Sequence, residues 1–517
     1  MGMFLIACAI AGASPDDDSL PVYQVQEVIA TASLPGIRAE SLVVGTEPSA
    51  TLRQFGLYDY GGMMTPGLSG LPSRHTRVLL AGVPVNSPAS GTVDLSLLPM
   101  PLIGRGILML SGSPEIRLWL PDTSEARLFA GSFGLFGGAG FLRMGPALWG
   151  LSYRRADNCY PYADEFGREA KRRNSDEKQI GATGAFLSGN LSASLLASAT
   201  ERGSPGPIGS PTPSARLSDT IALISLSYGE LGVFGLRDAI AYSDEVRVSR
   251  TTAANIGMRF SKWGLSIELA RPSALGVVTY SARPKVALIR ERWFCQLGGV
   301  LWKGPETLNA FPVGEAGLRI SWFRAAGFCD AVAPAINDLA WPDDGFAKGN
   351  PLLRPEKMWG GELGLESDNL RAWASLKLVD DYIAWVPGDR WSPVNLDRVM
   401  APEAGISARE AFFEATVSWN PVRWSARRLA HVPDWKAHAR LSWRNLWLCL
   451  NYLGPRVTTP GGVRELQGFL LADAGASLTR ERFGISLSFL NLSDQTPQQI
   501  AGYPIPGRRF VLEITWR

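Results

Sequence analysis

Across the last three-quarters of the chain, polar and apolar residues alternate with a period of two. In Lys436-Ala437-His438-Ala439-Arg440-Leu441-Ser442-Trp443-Arg444 every even position is polar and every odd one apolar. Successive side chains of an extended strand point to opposite faces, so this stretch predicts a strand with one apolar and one wet face. The same alternation sets Ala411, Phe413, Ala415, Val417 and Trp419 against Glu414, Thr416 and Ser418, and Phe483, Ile485, Leu487 and Phe489 against Gly484, Ser486 and Ser488. At the end of the chain Phe510, Leu512, Ile514 and Trp516 alternate with Arg509, Glu513, Thr515 and Arg517, with Val511 the one departure. Such segments recur from about Glu125 to Arg517, separated by turn clusters such as Ser188-Gly189-Asn190, at the spacing of a ~10-residue strand and its connection. Their number is roughly 22, and closed bacterial barrels of one chain need an even count.

A soluble β-sandwich or propeller would alternate as well. Aromatic placement decides between them: Trp149, Tyr153, Trp293, Trp302, Trp322, Trp419, Trp443 and Trp447 fall near expected strand ends, where girdles mark the two membrane–water boundaries. Beyond the N-terminus there is no apolar run of the ~20 residues a membrane helix needs. Strands can span lipid only as a closed barrel, because an open edge would leave backbone groups unpaired. The reading is an all-β membrane protein with a roughly 22-stranded antiparallel transmembrane β-barrel over residues 123–517.

Before Glu125 the texture changes. Residues 34–122 are rich in Gly and Pro with short apolar strands such as Val78-Leu79-Leu80 and Ile107-Leu108-Met109-Leu110, and predict a compact globular domain. The opening Met1 to Ala13 reads as an apolar signal-peptide core ending near Ala11-Gly12-Ala13, without the usual basic flank, and Leu5-Ile6-Ala7-Cys8 also fits a lipoprotein cleavage box. Residues 14–33, with three consecutive aspartates, predict a flexible N-terminal segment.

Composition narrows the function. A net charge of +3 spread over 51 basic and 48 acidic residues gives no basic excess for nucleic acid. Cys8, Cys159, Cys295, Cys329 and Cys449 show no close pairing, and with three histidines they supply no metal-ligand spacing, so neither a metal nor a cofactor is expected. Cys449, inside Leu446-Trp447-Leu448-Cys449-Leu450, reads as a small apolar strand residue. No Ser/His/Asp order, paired catalytic carboxylates or phosphate loop points to an enzyme.

Ser73-Arg74-His75-Thr76-Arg77-Val78-Leu79-Leu80-Ala81-Gly82-Val83-Pro84-Val85-Asn86, followed by Val93-Asp94-Leu95-Ser96-Leu97-Leu98-Pro99, resembles the plug-domain signature of TonB-dependent outer-membrane receptors, closest to their cobalamin-receptor-like branch. Upstream, Glu27-Val28-Ile29-Ala30-Thr31-Ala32 resembles the Ton box, which such receptors offer to TonB by strand addition, although a first plug strand would look similar. Phe323-Arg324-Ala325-Ala326, Asn337-Asp338-Leu339, Gly349 to Lys357 and Glu362 to Glu366 resemble the family's mid-barrel stretch. Leu490-Asn491-Leu492-Ser493-Asp494 and Gly502 to Arg508 are similar to its C-terminal motif. These likenesses run through nearly the whole chain in family order.

The departures fall in the plug. Family segments of the form Leu-Arg-Gly, whose arginines pair with barrel carboxylates, read Leu68-Ser69-Gly70 and Leu110-Ser111-Gly112 here, and Ala81 replaces a customary aspartate. The stretch from Ser113 to Leu120 is also shorter than the family's. A buried carboxylate stripped of its cation costs about 3–5 kcal/mol, so the wall facing Ser69 and Ser111 is expected to be neutral, or else Arg74, Arg77 or Arg105 reaches across instead.

The resemblance implies energised uptake of a scarce ligand, cobalamin-like or a siderophore-type metal chelate, with a TonB-type coupling protein and outer-membrane lipids as the other partners. A receptor-shaped barrel that has lost transport and serves in surface binding or assembly is the alternative. Ligand contacts are expected on two apical plug loops, Asp59, Tyr60, Gly61, Gly62 and Met63 in one and Asn86, Ser87, Pro88 and Thr92 in the other. Gly61-Gly62 also suits a bare tight turn, whereas Tyr60 suits ligand stacking as an exposed aromatic. Outer loops are expected to be short, apart from the mixed-charge Asn158 to Lys178 and a flexible Gly203 to Ser214.

Overall fold

The computed structural model describes residues 35–517 apart from 44–56, 61–62, 111–112, 122, 165–166, 246–247, 387, 426, 460–461 and 463. The signal-peptide segment, the Ton-box-like Glu27 to Ala32, Gly61, Gly62 and Ser111 therefore lie outside the described residues.

Twenty-two antiparallel strands close into one barrel. The first, Glu125–Gly131, pairs with the last, Arg509–Trp516, through Ala126↔Trp516 to Gly131↔Val511, so no edge is left. At one end the strands are joined by tight turns that demand left-handed backbone, supplied by Gly189, Gly229, Trp263, Ser321, Arg444 and Glu481, all with φ between 51° and 56°. Such turns match the twist of paired strands. Long connections gather at the opposite end, and this asymmetry marks the turn end as periplasmic and the loop end as outer.

The predicted alternation places the side chains. Leu151, Ile180, Ile224, Leu297, Leu363, Ile406 and Leu478 are exposed on the outer wall, an apolar belt that only lipid can cover. Trp149, Trp263, Trp293, Trp322, Trp443 and Trp516 ring it near the turns, and Phe136, Tyr280, Trp359, Trp419 and Trp435 nearer the loops. Trp302 does not belong to this girdle. Within the strand Trp293–Lys303 its even position points inward, and it is buried with Val300, Val313, Leu339, Leu353 and Ile383. With its apolar belt and girdles, the molecule is an outer-membrane β-barrel.

The N-terminal region folds inside this wall. Strands β1 (Ala39–Val43), β2 (Leu57–Asp59), β3 (Met64–Pro66), β4 (Arg77–Leu80), β5 (Val83–Pro84), β6 (Arg105–Met109) and β7 (Glu115–Trp119) form a β2-β3 hairpin and a five-stranded sheet of order β1-β6-β7-β4-β5. Val78, Leu80, Val83, Leu108, Ile116 and Leu118 make its core, and that core runs on into Leu196, Ile221, Leu223, Phe234 and Leu236 of the barrel's inner wall. A barrel this wide cannot fill itself with its own side chains. The plug fills part of it, and one patch of the inner wall is apolar to receive it.

Two expectations about the loops are corrected. Besides the segment after Asn158, the connections 333–355, 381–398, 420–434, 454–468 and 491–508 are long. The stretch after Gly203 is not loose: Ser204 N donates to Ala215 O (2.9 Å), Thr212 N to Pro205 O (3.0 Å) and Ile208 N to Gly502 O (2.9 Å). Loops fold inward over the mouth, which strand spacing alone does not reveal.

The lipid-facing assignment predicts that Leu297→Arg lowers stability by about 2–4 kcal/mol in urea-driven unfolding from lipid vesicles, the known range for arginine at the bilayer midplane. Leu297→Phe should leave stability within error.

Candidate functional site

At the outer mouth the two apical plug segments meet very different surroundings. In the first, Asp59 is buried and its backbone N–H donates to Gln499 Oε1 at 3.3 Å. Tyr60 is not the exposed aromatic the sequence suggested. Its ring stands edge-on to Tyr503 at 5.6 Å, and burial, more than the neighbouring Tyr503, raises its phenol above the ordinary value. Tyr60 N donates to Met63 O (2.9 Å), closing the turn between β2 and β3, and Met63 is exposed.

In the second segment Asn86 is spent on the plug itself. Its Oδ1 accepts from Val78 N (2.8 Å), and its Nδ2 donates to Thr76 O (3.0 Å) and Gly91 O (3.2 Å). Ser87 N donates to Thr92 O (2.7 Å), and the Thr92 hydroxyl meets that of Ser90 at 3.1 Å. The loop 333–355 lies across this segment: Ile336 N donates to Pro88 O (3.3 Å) and Asn337 N to Ala89 O (2.8 Å). The geometry joins Asp59 and Tyr60 to the C-terminal outer loop, and Pro88 to the mid-barrel one.

The covering loops are themselves tied together. Tyr160, fully buried, donates its hydroxyl to Pro504 O (2.7 Å), and Arg172 donates to Gly206 O (2.6 Å) while its guanidinium lies 5.7 Å from the Tyr503 ring. The segment Asn158 to Lys178 is thus anchored at Tyr160 and Arg172, while at its exposed tip Arg168 pairs with Asp164. Arg456 has no exposed surface and donates to the carbonyls of Gln499 (2.9 Å), Gly454 (3.1 Å) and Gln498. Burial pulls it down to about 10, so it stays charged at neutral pH. His431, in the loop 420–434, is held down to about 4 by burial and then by Arg456.

Between plug and wall, polar contacts stand beside the apolar ones. Arg38 lies 3.3 Å from both Glu362 and Glu403, with its guanidinium 4.3 Å over the Trp373 ring. Burial opposes its charge, but Glu362 and Glu403 outweigh that and hold it above the ordinary arginine value. Arg74 reaches Asp338 (3.0 Å), Arg77 reaches Glu268 (2.7 Å), and Asp94 of the plug takes Arg202 of the wall (2.7 Å). His75 lies 3.3 Å from Glu356 and stacks on Tyr382. Lys377 Nζ donates to Leu110 O (3.1 Å), and Glu40 pairs with Arg371.

These pairs bear on the missing family arginines. Ser69 is buried beside the 420–434 loop, where a Cβ on Gly70 would meet Asn420 and Val422 rather than a carboxylate. Its backbone is left-handed (φ 52°, ψ 32°), a conformation a long side chain adopts poorly. Arg74 and Arg77 supply cations from elsewhere in the plug, and Arg105 instead lies 6.0 Å from the Trp119 ring. Arg38 went unnoticed in the sequence because no motif surrounds it; the available signal was that Glu362 occupies an inward position in an alternating strand. Cys449 also differs from expectation. It faces inward among polar groups, 3.3 Å from Asn451 Nδ2 and 3.6 Å from His438 Nδ1.

A barrel occupied by its own N-terminal sheet and roofed by outer loops defines the class of plugged outer-membrane barrels. No family model matches the sequence. The chain is 28% identical over 210 residues to the vitamin B12 transporter BtuB of Vibrio vulnificus, and 23% identical over 221 residues to that of Photobacterium profundum. These matches take in 36% and 39% of this chain but only 33% and 35% of the relatives, so about a third of their length is spanned. Among solved structures, the FrpB iron transporter from Neisseria meningitidis superposes with TM-score 0.70 at 12% identity, covering 94% of this chain and 99% of that one. The copper transporter OprC gives 0.69 at 15% identity, over 94% and 98%. The ferric enterobactin receptor of Pseudomonas aeruginosa gives 0.65 at 11%, over 94% and 96%. The chain has the fold of the TonB-dependent outer-membrane receptors.

Arg38→Leu leaves Glu362 and Glu403 without their plug cation and should destabilise plug seating by about 3–5 kcal/mol, seen as faster proteolysis of the plug in detergent with the barrel unchanged. For His431, folding depresses the pKa, so its contribution is complete above about 6.5 and is lost as pH falls toward about 4. Hydrogen exchange in residues 427–434 should rise over that window, and His431→Gln should flatten the dependence.

Proposed function

We propose that this protein is a TonB-dependent transporter that takes up a scarce ligand of the cobalamin or metal-chelate class through the outer membrane. The observation that carries the reading is the way the plug is held. Ion pairs and hydrogen bonds at its N-terminal edge, Arg38 with Glu362 and Glu403 and Glu40 with Arg371, can exchange partners with water. The relatives named as vitamin B12 transporters support the ligand class.

In this mechanism the ligand binds beside the exposed Met63, where Tyr60 meets the 491–508 loop, and where Pro88 meets the 333–355 loop. Binding shifts the loops that now rest on the plug, and only a ligand with different affinity for the two loop arrangements can do so. Glu27 to Ala32 then adds as a strand to the TonB-type partner, and pulling on the segment before Pro35 loads β1.

One observation favours the alternative of a receptor-like barrel without transport: the 333–355 loop hydrogen-bonds directly to the apical carbonyls of Pro88 and Ala89. Uptake of radiolabelled cyanocobalamin or a ferric siderophore by cells carrying this protein separates the two readings. Ile29→Pro, which removes a ladder donor, should abolish energised uptake and leave ligand binding to whole cells intact. Equal uptake by the variant would reject the Ton-box assignment. Tyr60→Ala should instead weaken binding itself by roughly tenfold, the scale of losing about 1.4 kcal/mol of aromatic contact.

A further inference from the structure

The apolar belt is interrupted on one side of the barrel. Arg216, Arg237, Arg250 and Arg271 fall on four consecutive strands, Arg216–Tyr228, Leu231–Ser243, Val248–Lys262 and Leu265–Ala274. Each shares its strand parity with exposed outward residues: Arg216 with Ile224, Arg237 with Val233, Arg250 with Ile256, Arg271 with Leu269. The intervening positions Asp219, Asp238 and Asn255 are buried on the inner side. All four arginines therefore face the membrane.

Their heights differ. Arg216 opens its strand at the outer end and Arg250 lies next to that end, whereas Arg237 is midway along its strand and Arg271 somewhat above the middle of its own. Arg216 holds Asp176 at 2.7 Å, and Arg271 lies 6.0 Å from the Tyr280 ring. Among the described residues no carboxylate pairs with Arg237, Arg250 or Arg271. An unpaired guanidinium on a lipid-facing wall is unfavourable, so each must meet an anion or stretch upward to the headgroup layer.

The surface between them is shaped to receive a group. Arg237 is flanked across its ladders by Ala222 and Ala254, which leave its stem uncovered. Above it, a hollow of about 240 Å³ opens between Arg216 and Arg250, lined also by Ser218, Ala241 and Ser243, with Glu201 the one acid on its rim. Arginine forks match phosphate oxygens two at a time, and several at graded depth suit a headgroup whose acyl chains run down the same wall.

We propose that this face is a binding site for a phosphorylated anionic lipid of the outer leaflet, with phosphate seated between Arg216 and Arg250 and with Arg237 and Arg271 offering further cations lower on the same wall. The test uses the whole protein in phosphatidylcholine nanodiscs containing either diphosphorylated lipid A or its dephosphorylated counterpart, and counts retained lipid by native mass spectrometry after transfer to detergent. The phosphorylated lipid should stay bound and the dephosphorylated one should not. Retention should drop at least tenfold in Arg237→Gln/Arg250→Gln and less in Arg237→Lys. It should be unchanged in Arg444→Gln, which alters an exposed arginine at the periplasmic turns. Heat-modifiable mobility of each variant confirms that the barrel has closed. Equal retention of the two lipids, or unchanged retention in the double variant, would overturn the proposal. So would a dimer that depends on Arg237 and Arg250, which would give the face to a second copy of the chain.

Discussion

Glu362 and Glu403 project from neighbouring parts of the barrel wall into its interior, and Arg38, at the very start of the plug sheet, lies between them under the Trp373 ring. Breaking such a buried set by removing one member is costly, while the intact set contributes little beyond what water would give the separated charges. This asymmetry suits a plug that must neither fall out nor be welded in. A wall with unneutralised carboxylates admits only a partner that brings the matching cations to the right depth. Arg324 completes the cluster from the wall side, donating to Glu362 at 2.6 Å, so the two glutamates are shared between the barrel's own frame and the plug.

The middle of the plug sheet is also held by apolar contact. Leu108, Ile116 and Leu118 pack through to Leu196, Ile221 and Phe234, and apolar contact of this kind has no comparable substitute in water. The plug thus has an apolar patch seated against the strands from Leu191 to Ser243, beside the Asp94–Arg202 pair, and a second group of ion pairs where β1 borders the sheet. Order β1-β6-β7-β4-β5 makes β1 an edge strand, bound to one neighbour over five residue pairs. An edge strand parts from its sheet by breaking one ladder, a central strand by breaking two.

The architecture was legible because its cause has a short period. Lipid on one side and a wet interior on the other force alternation strand by strand, and Leu441 and Trp443 against His438 and Arg440 show it without knowledge of any neighbour. The inward parity of Trp302 is in the sequence too, but nearness to a strand end alone does not tell a girdle residue from a core one. The mouth was less legible. Tyr60 meets Tyr503, and Pro88 meets Ile336, across separations that no local pattern encodes. Gly502 to Arg508 stood out only as a likeness to a C-terminal motif, and its place over the plug goes with Arg456 gathering carbonyls from both arms of the roof.

On the proposed function, the two kinds of contact divide the work of opening. Force arriving through the segment before Pro35 meets β1 first, where the wall-side restraints are those of Arg38 and Glu40. Water that follows β1 can solvate these charges in turn, so the cost of separating each buried pair is met one contact at a time. The apolar patch would have to expose Leu118 and Phe234 together, a far larger cost per ångström of movement. Displacement should therefore begin as peeling of β1 along the wall strands Phe323–Val332 and Glu356–Glu366, and leave the β4-β7 core seated against Leu223 and Leu236. A path formed this way runs beside the Glu362–Glu403 wall, and its lining is polar because the residues that had locked the plug become the surface of the channel.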